Sequence, residues 1–144
     1  MHKIKEPDSL FGFPLLMAKR KCMYKLCVTT HFSAAHRLKF YPGACERIHG
    51  HNWKIKVTVA GSELDETGML MDLLVLRTMV NECIQPFDHR LINEVPPFDA
   101  MNPTSENLAR YIFDWLQNNL PNKVSVVEVE AGETDELAVI YSGS

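Results

Sequence analysis

The sequence predicts an α+β fold in which two helices cover one face of a four-stranded antiparallel sheet. Three observations carry that expectation. Two stretches near the start alternate apolar and polar residues at strand period, two in the middle repeat apolar residues at helical period, and two short strand-like stretches close the chain. The order ββααββ segregates both helices between hairpins, as α+β folds with helices on one sheet face do.

From Tyr24 to His36, Leu26, Val28, Phe32 and Ala34 fall on one face, with Thr29, His31 and Ser33 on the other. Tyr41-Pro42-Gly43 reads as a loop, and a second strand is expected from about His49 to Ala60, where Trp53, Ile55, Val57 and Val59 alternate with Lys54, Lys56 and Thr58. This is the signature of an antiparallel pair with one buried and one wet face. Asp72 is placed to cap a helix carrying Leu73, Leu76, Val80 and Cys83 on one side. After a proline-rich loop, Thr104 or Ser105 caps a second helix with Leu108, Tyr111, Ile112, Trp115 and Leu116 at helical spacing, ended by Pro121. Strands from Val124 to Glu130 and from Leu137 to Tyr141 complete the sheet. So small a sheet has open edges, which pairing with sister subunits would hide.

The chain has 144 residues, 46% apolar and 23% charged, which suits one soluble globular domain. That domain is expected over residues 23–144, with 1–22 an N-terminal extension of unassigned role. The formal net charge of −3 and the lack of a basic stripe argue against a nucleic-acid partner. The apolar stretch Leu10 to Ala18 is interrupted by Pro14 and is too short to span a bilayer, and Lys19-Arg20-Lys21 follows where a signal peptide would carry small residues. Four cysteines without a CxxC read as free thiols, so a cytoplasmic protein with no membrane partner is expected.

The most specific local signal is His49-Gly50-His51. Residues two apart on a strand point the same way, and this pair shares the parity of Trp53, Ile55 and Val57. Gly50 reads as a place where something approaches the backbone closely. Taken alone, the pair is equally two satisfied histidines near a turn. His36 ends the neighbouring strand on its apolar parity, and with it three imidazoles can meet at one end of one sheet face. Three nitrogen ligands with an open fourth position describe a catalytic zinc site.

Cys45 lies on the loop leading to His49; beside a cation its thiolate would act as base or nucleophile, against the alternative of a small buried hydrophobe. Asp88-His89 is a carboxylate next to an imidazole it can orient, but adjacent residues on a strand face apart, so the pair would need a turn. Glu133-Thr134 reads most simply as the charged tip of a hairpin.

Phe32-Ser33-Ala34-Ala35-His36, Cys45-x-x-x-His49-Gly50-His51, Asp88-His89-Arg90-Leu91-Ile92-Asn93, Asn102-Pro103-Thr104-Ser105-Glu106-Asn107-Leu108 and Glu133-Thr134 follow one another in that order. This succession resembles the 6-pyruvoyltetrahydropterin synthase family, which includes bacterial 6-carboxytetrahydropterin synthases, from about Tyr24 to Tyr141. The resemblance implies a tunnelling fold, whose sheets join as an oligomeric β-barrel in trimers that stack as a homo-hexamer, with active sites between subunits. It implies zinc on His36, His49 and His51, Cys45 as catalytic thiolate, and Asp88 with His89 as a proton relay. Glu133 would anchor the pterin ring of 7,8-dihydroneopterin triphosphate. The resemblance also implies that Thr104, Ser105 and Glu106 would help at that pocket, although they equally satisfy a helix N-terminus.

The three-residue interval between Cys45 and His49 resembles the bacterial 6-carboxy type, which leads to queuosine and related deazaguanines. Glu46 resembles a subfamily that cleaves the side chain to a 6-hydroxymethylpterin for folate synthesis, and the Cys45-Glu46 pair resembles a dual-function group; the bland alternative is a solvated carboxylate paired with Arg47. The expected activity is therefore a zinc-dependent lyase forming 6-carboxy-5,6,7,8-tetrahydropterin, with 6-hydroxymethyl-dihydropterin as a second product. The alternatives are a 6-pyruvoyl synthase proper, a non-catalytic pterin- or purine-binding protein of this fold, and a zinc module without a small-molecule substrate.

Overall fold

Alternating apolar residues over the first half of the chain produce a long hairpin. β1 (Tyr24–His36) and β2 (His49–Gly61) pair antiparallel, with Phe32 opposite Trp53, Ala34 opposite His51 and His36 opposite His49. The computed structural model describes residues 23–143, so the extension expected over 1–22 lies outside the described residues. β3 (Ser125–Gly132) pairs with β2 and β4 (Ala138–Tyr141) with β3, giving an antiparallel sheet in the order β1-β2-β3-β4. β3 runs past the expected Glu130 because its ladder with β2 continues to the pair Lys54 and Gly132. The register shifts between Thr58 and Val59, so that Thr58 faces Glu128 and Val59 faces Val126. This bulge, with Val127 as the extra residue, keeps both Val126 and Val129 on the buried side.

α1 (Leu73–Ile84) starts where the Asp72 carboxylate accepts the Leu74 N–H at 2.8 Å. It buries Leu76, Val80, Cys83 and Ile84. Leu73, expected in that stripe, is 49% exposed. It belongs to the first turn, beyond the covered part of the sheet, and borders an apolar hollow with Tyr24, Leu26 and Met71. α2 (Ser105–Asn119) is capped by the Thr104 hydroxyl, which accepts the Asn107 N–H at 3.1 Å. Leu108, Ala109, Ile112 and Leu116 are buried, with Tyr111 and Trp115 half-buried at the margin. The helix ends as Leu120 turns extended ahead of Pro121.

Both helices lie on one face of the sheet, α1 over β1 and α2 over β3 and β4. Trp53, Ile55, Val57 and Val59 are wholly buried beneath them, each contributing about 1.5–3 kcal/mol on the scale for large apolar side chains. The layer extends to Phe32, Ala34 and His36, so the histidine at the end of β1 belongs to the core. Among the described residues no helix is long and apolar enough to cross a membrane.

Candidate functional site

Strand parity and register bring the three imidazoles together. His36 ends β1 directly opposite His49, and His51 lies two residues further along the same face of β2. One ligand nitrogen from each of the three falls within 4.8 Å of the others. Their rings meet edge to face, with centroids 4.6 Å apart for His36 and His49, 5.2 Å for His36 and His51, and 4.9 Å for His49 and His51. Trp53 forms the floor, its ring 5.0 Å from that of His36 and 5.5 Å from that of His51.

Backbone carbonyls set two of the rings. Nδ1 of His36 donates to the Pro103 carbonyl at 2.8 Å, and Nδ1 of His49 donates to the Arg47 carbonyl at 2.7 Å. A carbonyl only accepts, so both rings carry hydrogen on Nδ1 and turn the lone pair of Nε2 inward. Nε2 of His36 and Nε2 of His51 are buried without a hydrogen-bond partner. Burial, ahead of all other causes, lowers the pKa of His36 and of His51, which favours neutral rings. Inward lone pairs held by carbonyl partners are the usual support of a metal-binding histidine, and the donor set suits zinc. A cation would satisfy the orphaned nitrogens.

Glu133, a hairpin tip by its own sequence context and a pterin anchor by the family resemblance, reaches this centre. It follows β3, and its carboxylate oxygens lie 3.5 Å from Nε2 of His36 and 3.7 Å from Nε2 of His51. Gly132 lets the turn fold tightly, because a Cβ there would meet the Thr134 carbonyl at 2.9 Å. The Ser105 hydroxyl donates to Oε1 of Glu133 at 3.5 Å. Thr104, Ser105, Glu106 and Glu133 all border one cavity of about 390 Å³. Leu38, Glu136, Leu137 and the start of β4 complete its wall, and no sequence pattern marks them as cavity residues.

Cys45 and Glu46 sit on a short 3-10 turn (Ala44–Glu46) in the loop joining β1 to β2. Cys45 is partly exposed and free, so burial as a hydrophobe does not account for it. Among the described residues Glu46 makes no ion pair with Arg47; it borders a hollow with Arg37, Lys39 and Phe40.

Asp88 and His89 do form a pair. His89 takes a positive φ of 57°, a turn that swings its Nδ1 to 3.0 Å from Oδ1 of Asp88. The same carboxylate oxygen accepts the Ser33 N–H at 3.0 Å, and that bond, first among the causes, holds its pKa below the usual carboxylate range. The Ala35 N–H donates to the Arg90 carbonyl at 3.0 Å, docking the segment along the outer edge of β1. Among the described residues no hydrogen bond or ion pair joins Asp88 or His89 to Cys45; His89 instead borders a hollow of about 440 Å³ with Gly50, His51 and Asn52. Gly50 itself is uncrowded within the chain, since a Cβ there would come no nearer than 3.9 Å to the Ala34 carbonyl.

A family profile described as 6-pyruvoyl tetrahydropterin synthase matches residues 25–144. The chain belongs to that family. A 6-pyruvoyl tetrahydrobiopterin synthase of Homo sapiens is 40% identical over 138 residues, covering 86% of this chain and 94% of the relative. A 6-carboxy-5,6,7,8-tetrahydropterin synthase of Bacillus subtilis (strain 168) is 36% identical over 135 residues, covering 86% and 88%. The solved 6-pyruvoyl tetrahydropterin synthase of Caenorhabditis elegans superposes with a TM-score of 0.76 at 32% identity, covering 87% of this chain and 99% of that one. The chain is thus a lyase of the tetrahydropterin synthase family, with relatives named for both the pyruvoyl and the carboxy product.

Proposed function

We propose that the protein is a zinc-dependent lyase acting on 7,8-dihydroneopterin triphosphate and forming 6-carboxy-5,6,7,8-tetrahydropterin. The observation that carries this reading is the convergence of His36, His49 and His51, two of them with buried unpartnered Nε2 atoms, beside a cavity bordered by Glu133. Zinc on the three rings would supply Lewis-acid polarisation of the substrate's side-chain hydroxyls. The other tasks fall to this chain's side chains. The Glu133 carboxylate accepts two N–H bonds from the amino-pyrimidine edge of the pterin, with Thr104, Ser105 and Glu106 around the ring. The Cys45 thiolate removes a carbon-bound proton from the side chain, and His89, oriented by Asp88, manages the proton on the opposite side.

Asp88 and His89 dock on the outer edge of β1, and no hydrogen bond or ion pair among the described residues joins them to Cys45 of their own chain, which supports an assembly that brings them to Cys45 of another copy. The homo-hexamer of stacked trimers, with β1 and β4 edges closing a barrel, meets that need and hides both edges. A reducing cytoplasm, where Cys45 stays a thiol, suits the chemistry.

The carboxy product is favoured by the short Cys45 to His49 interval. Glu46, next to Cys45 on the same turn and unpaired with Arg47, favours a second product, 6-hydroxymethyl-dihydropterin. The test is incubation of the zinc-loaded protein with dihydroneopterin triphosphate, with products identified by mass spectrometry. Cys45→Ala should abolish the carboxy product, and Glu46→Ala should remove only the hydroxymethyl product. Absence of any new pterin from the unaltered protein would refute the reading, and a 6-pyruvoyl product would replace it with the other family activity.

A further inference from the structure

Two asparagines in the motifs quoted above, Asn93 and Asn102, take no part in the chemistry described so far. The backbone just beyond β1 shows what they do. The Arg37 N–H donates to Oδ1 of Asn93 at 2.9 Å, and Nδ2 of Asn93 donates back to the Arg37 carbonyl at 3.0 Å. Two residues on, the Lys39 N–H donates to Oδ1 of Asn102 at 3.0 Å, and Nδ2 of Asn102 donates to the Lys39 carbonyl at 3.2 Å. Each carboxamide thus supplies the donor and acceptor that a neighbouring strand would supply. Between them, on the opposite edge, the Leu38 N–H donates to the Cys45 carbonyl at 2.8 Å.

Segment 37–39 is therefore a splint. One edge is fastened to the loops carrying Asn93 and Asn102, and the second of these loops also carries the Pro103 carbonyl that orients His36. The other edge is fastened to Cys45. The Cys45 side chain makes no hydrogen bond among the described residues, so the hydrogen bond that ties this residue to the splint is that of its backbone carbonyl. We infer that Asn93 and Asn102 are positioning residues, which hold the Cys45 thiol at its working place relative to the imidazole cluster. The inference rests on Cys45 acting as the base proposed above. Neither asparagine touches the cavity bordered by Glu133. Both clamps are solvent-exposed, so water can take over the freed backbone groups and their loss weakens geometry more than folding.

The test compares zinc-loaded wild type with Asn93→Ala/Asn102→Ala. A misplaced reacting group costs rate on the order of 100-fold, so kcat should fall by about that factor. KM should change far less than kcat, because neither asparagine lines the cavity and, of segment 37–39, Leu38 alone borders it. Zinc content should be unchanged, and amide exchange across residues 37–47 should quicken. Asn93→Asp and Asn102→Asp, which keep the acceptor and lose the donor, should fall between wild type and the double variant, and they serve as the test if the double variant does not fold. An unchanged kcat despite faster exchange, or a loss of kcat that tracks loss of zinc, overturns the inference. If wild type forms no pterin product, the functional reading fails separately. Alkylation of Cys45 by iodoacetamide then decides: a rate altered by the substitutions retains the splint, and an unaltered one refutes it.

Discussion

His36 donates its Nδ1 hydrogen to the Pro103 carbonyl at 2.8 Å, and that bond decides which ring nitrogen faces the candidate metal centre. The loop that caps α2 through Thr104 is thereby tied to the end of β1. Helix capping, ring orientation and the wall of the cavity are built from adjacent residues of one segment.

Replacing His36 should remove the metal. In His36→Ala, zinc measured after dialysis should fall from about one ion per chain, the stoichiometry of a three-histidine site, to near zero. The folded fraction, followed by circular dichroism, should show whether the core survives the loss of this buried ring. Retention of full zinc by a folded variant would refute the assignment of the ligands.

Glu133→Gln keeps the shape of the side chain and removes its charge. Hydrogen bonds to a charged group contribute about 1.5–3 kcal/mol, so pterin affinity should weaken by about 10- to 100-fold. Fluorescence titration with a pterin measures it, and zinc content should be unaltered. An unchanged affinity would leave Glu133 without a role in binding.

Asp88 makes folding depend on pH in a defined direction. Its folded pKa is depressed chiefly by the Ser33 N–H bond, so its contribution is present above the unfolded value and is lost as pH falls through the folded one. Asp88→Asn should be less stable than wild type at pH about 7, and the difference should shrink below pH about 4, the unperturbed carboxylate range. Urea denaturation at the two pH values checks this.

The thiols should separate by reactivity. Burial pushes the Cys83 pKa up to about 12, whereas Cys27 is exposed and Cys45 partly so. Iodoacetamide at pH about 8, near the ordinary thiol pKa, should label Cys27 and Cys45 in the folded protein and reach Cys83 only after unfolding. Peptide mass spectrometry reads the pattern, and early labelling of Cys83 would contradict its burial.

The strands, the helices and the meeting of His36 with His49 and His51 were legible in the sequence for one reason. Period and parity determine which side chains share a face, and alternation from Tyr24 to His36 and from His49 to Gly61 leaves one register that buries Phe32 with Trp53. The helix caps at Asp72 and Thr104 were legible because capping is local.

What only the tertiary structure decided depends on groups far apart in the chain. The orientation of His36 rests on the Pro103 carbonyl, and a backbone carbonyl has no signature in the residue code. The reach of Glu133 to two imidazoles depends on the β2–β3 register and the Gly132 turn, and so a residue that reads as a hairpin tip arrives at the centre. Asp88 and His89 face each other through a positive φ and dock on the far edge of β1, which no spacing rule foretells. Local periodicity sets which face a side chain occupies, whereas its partners across the fold are chosen by packing.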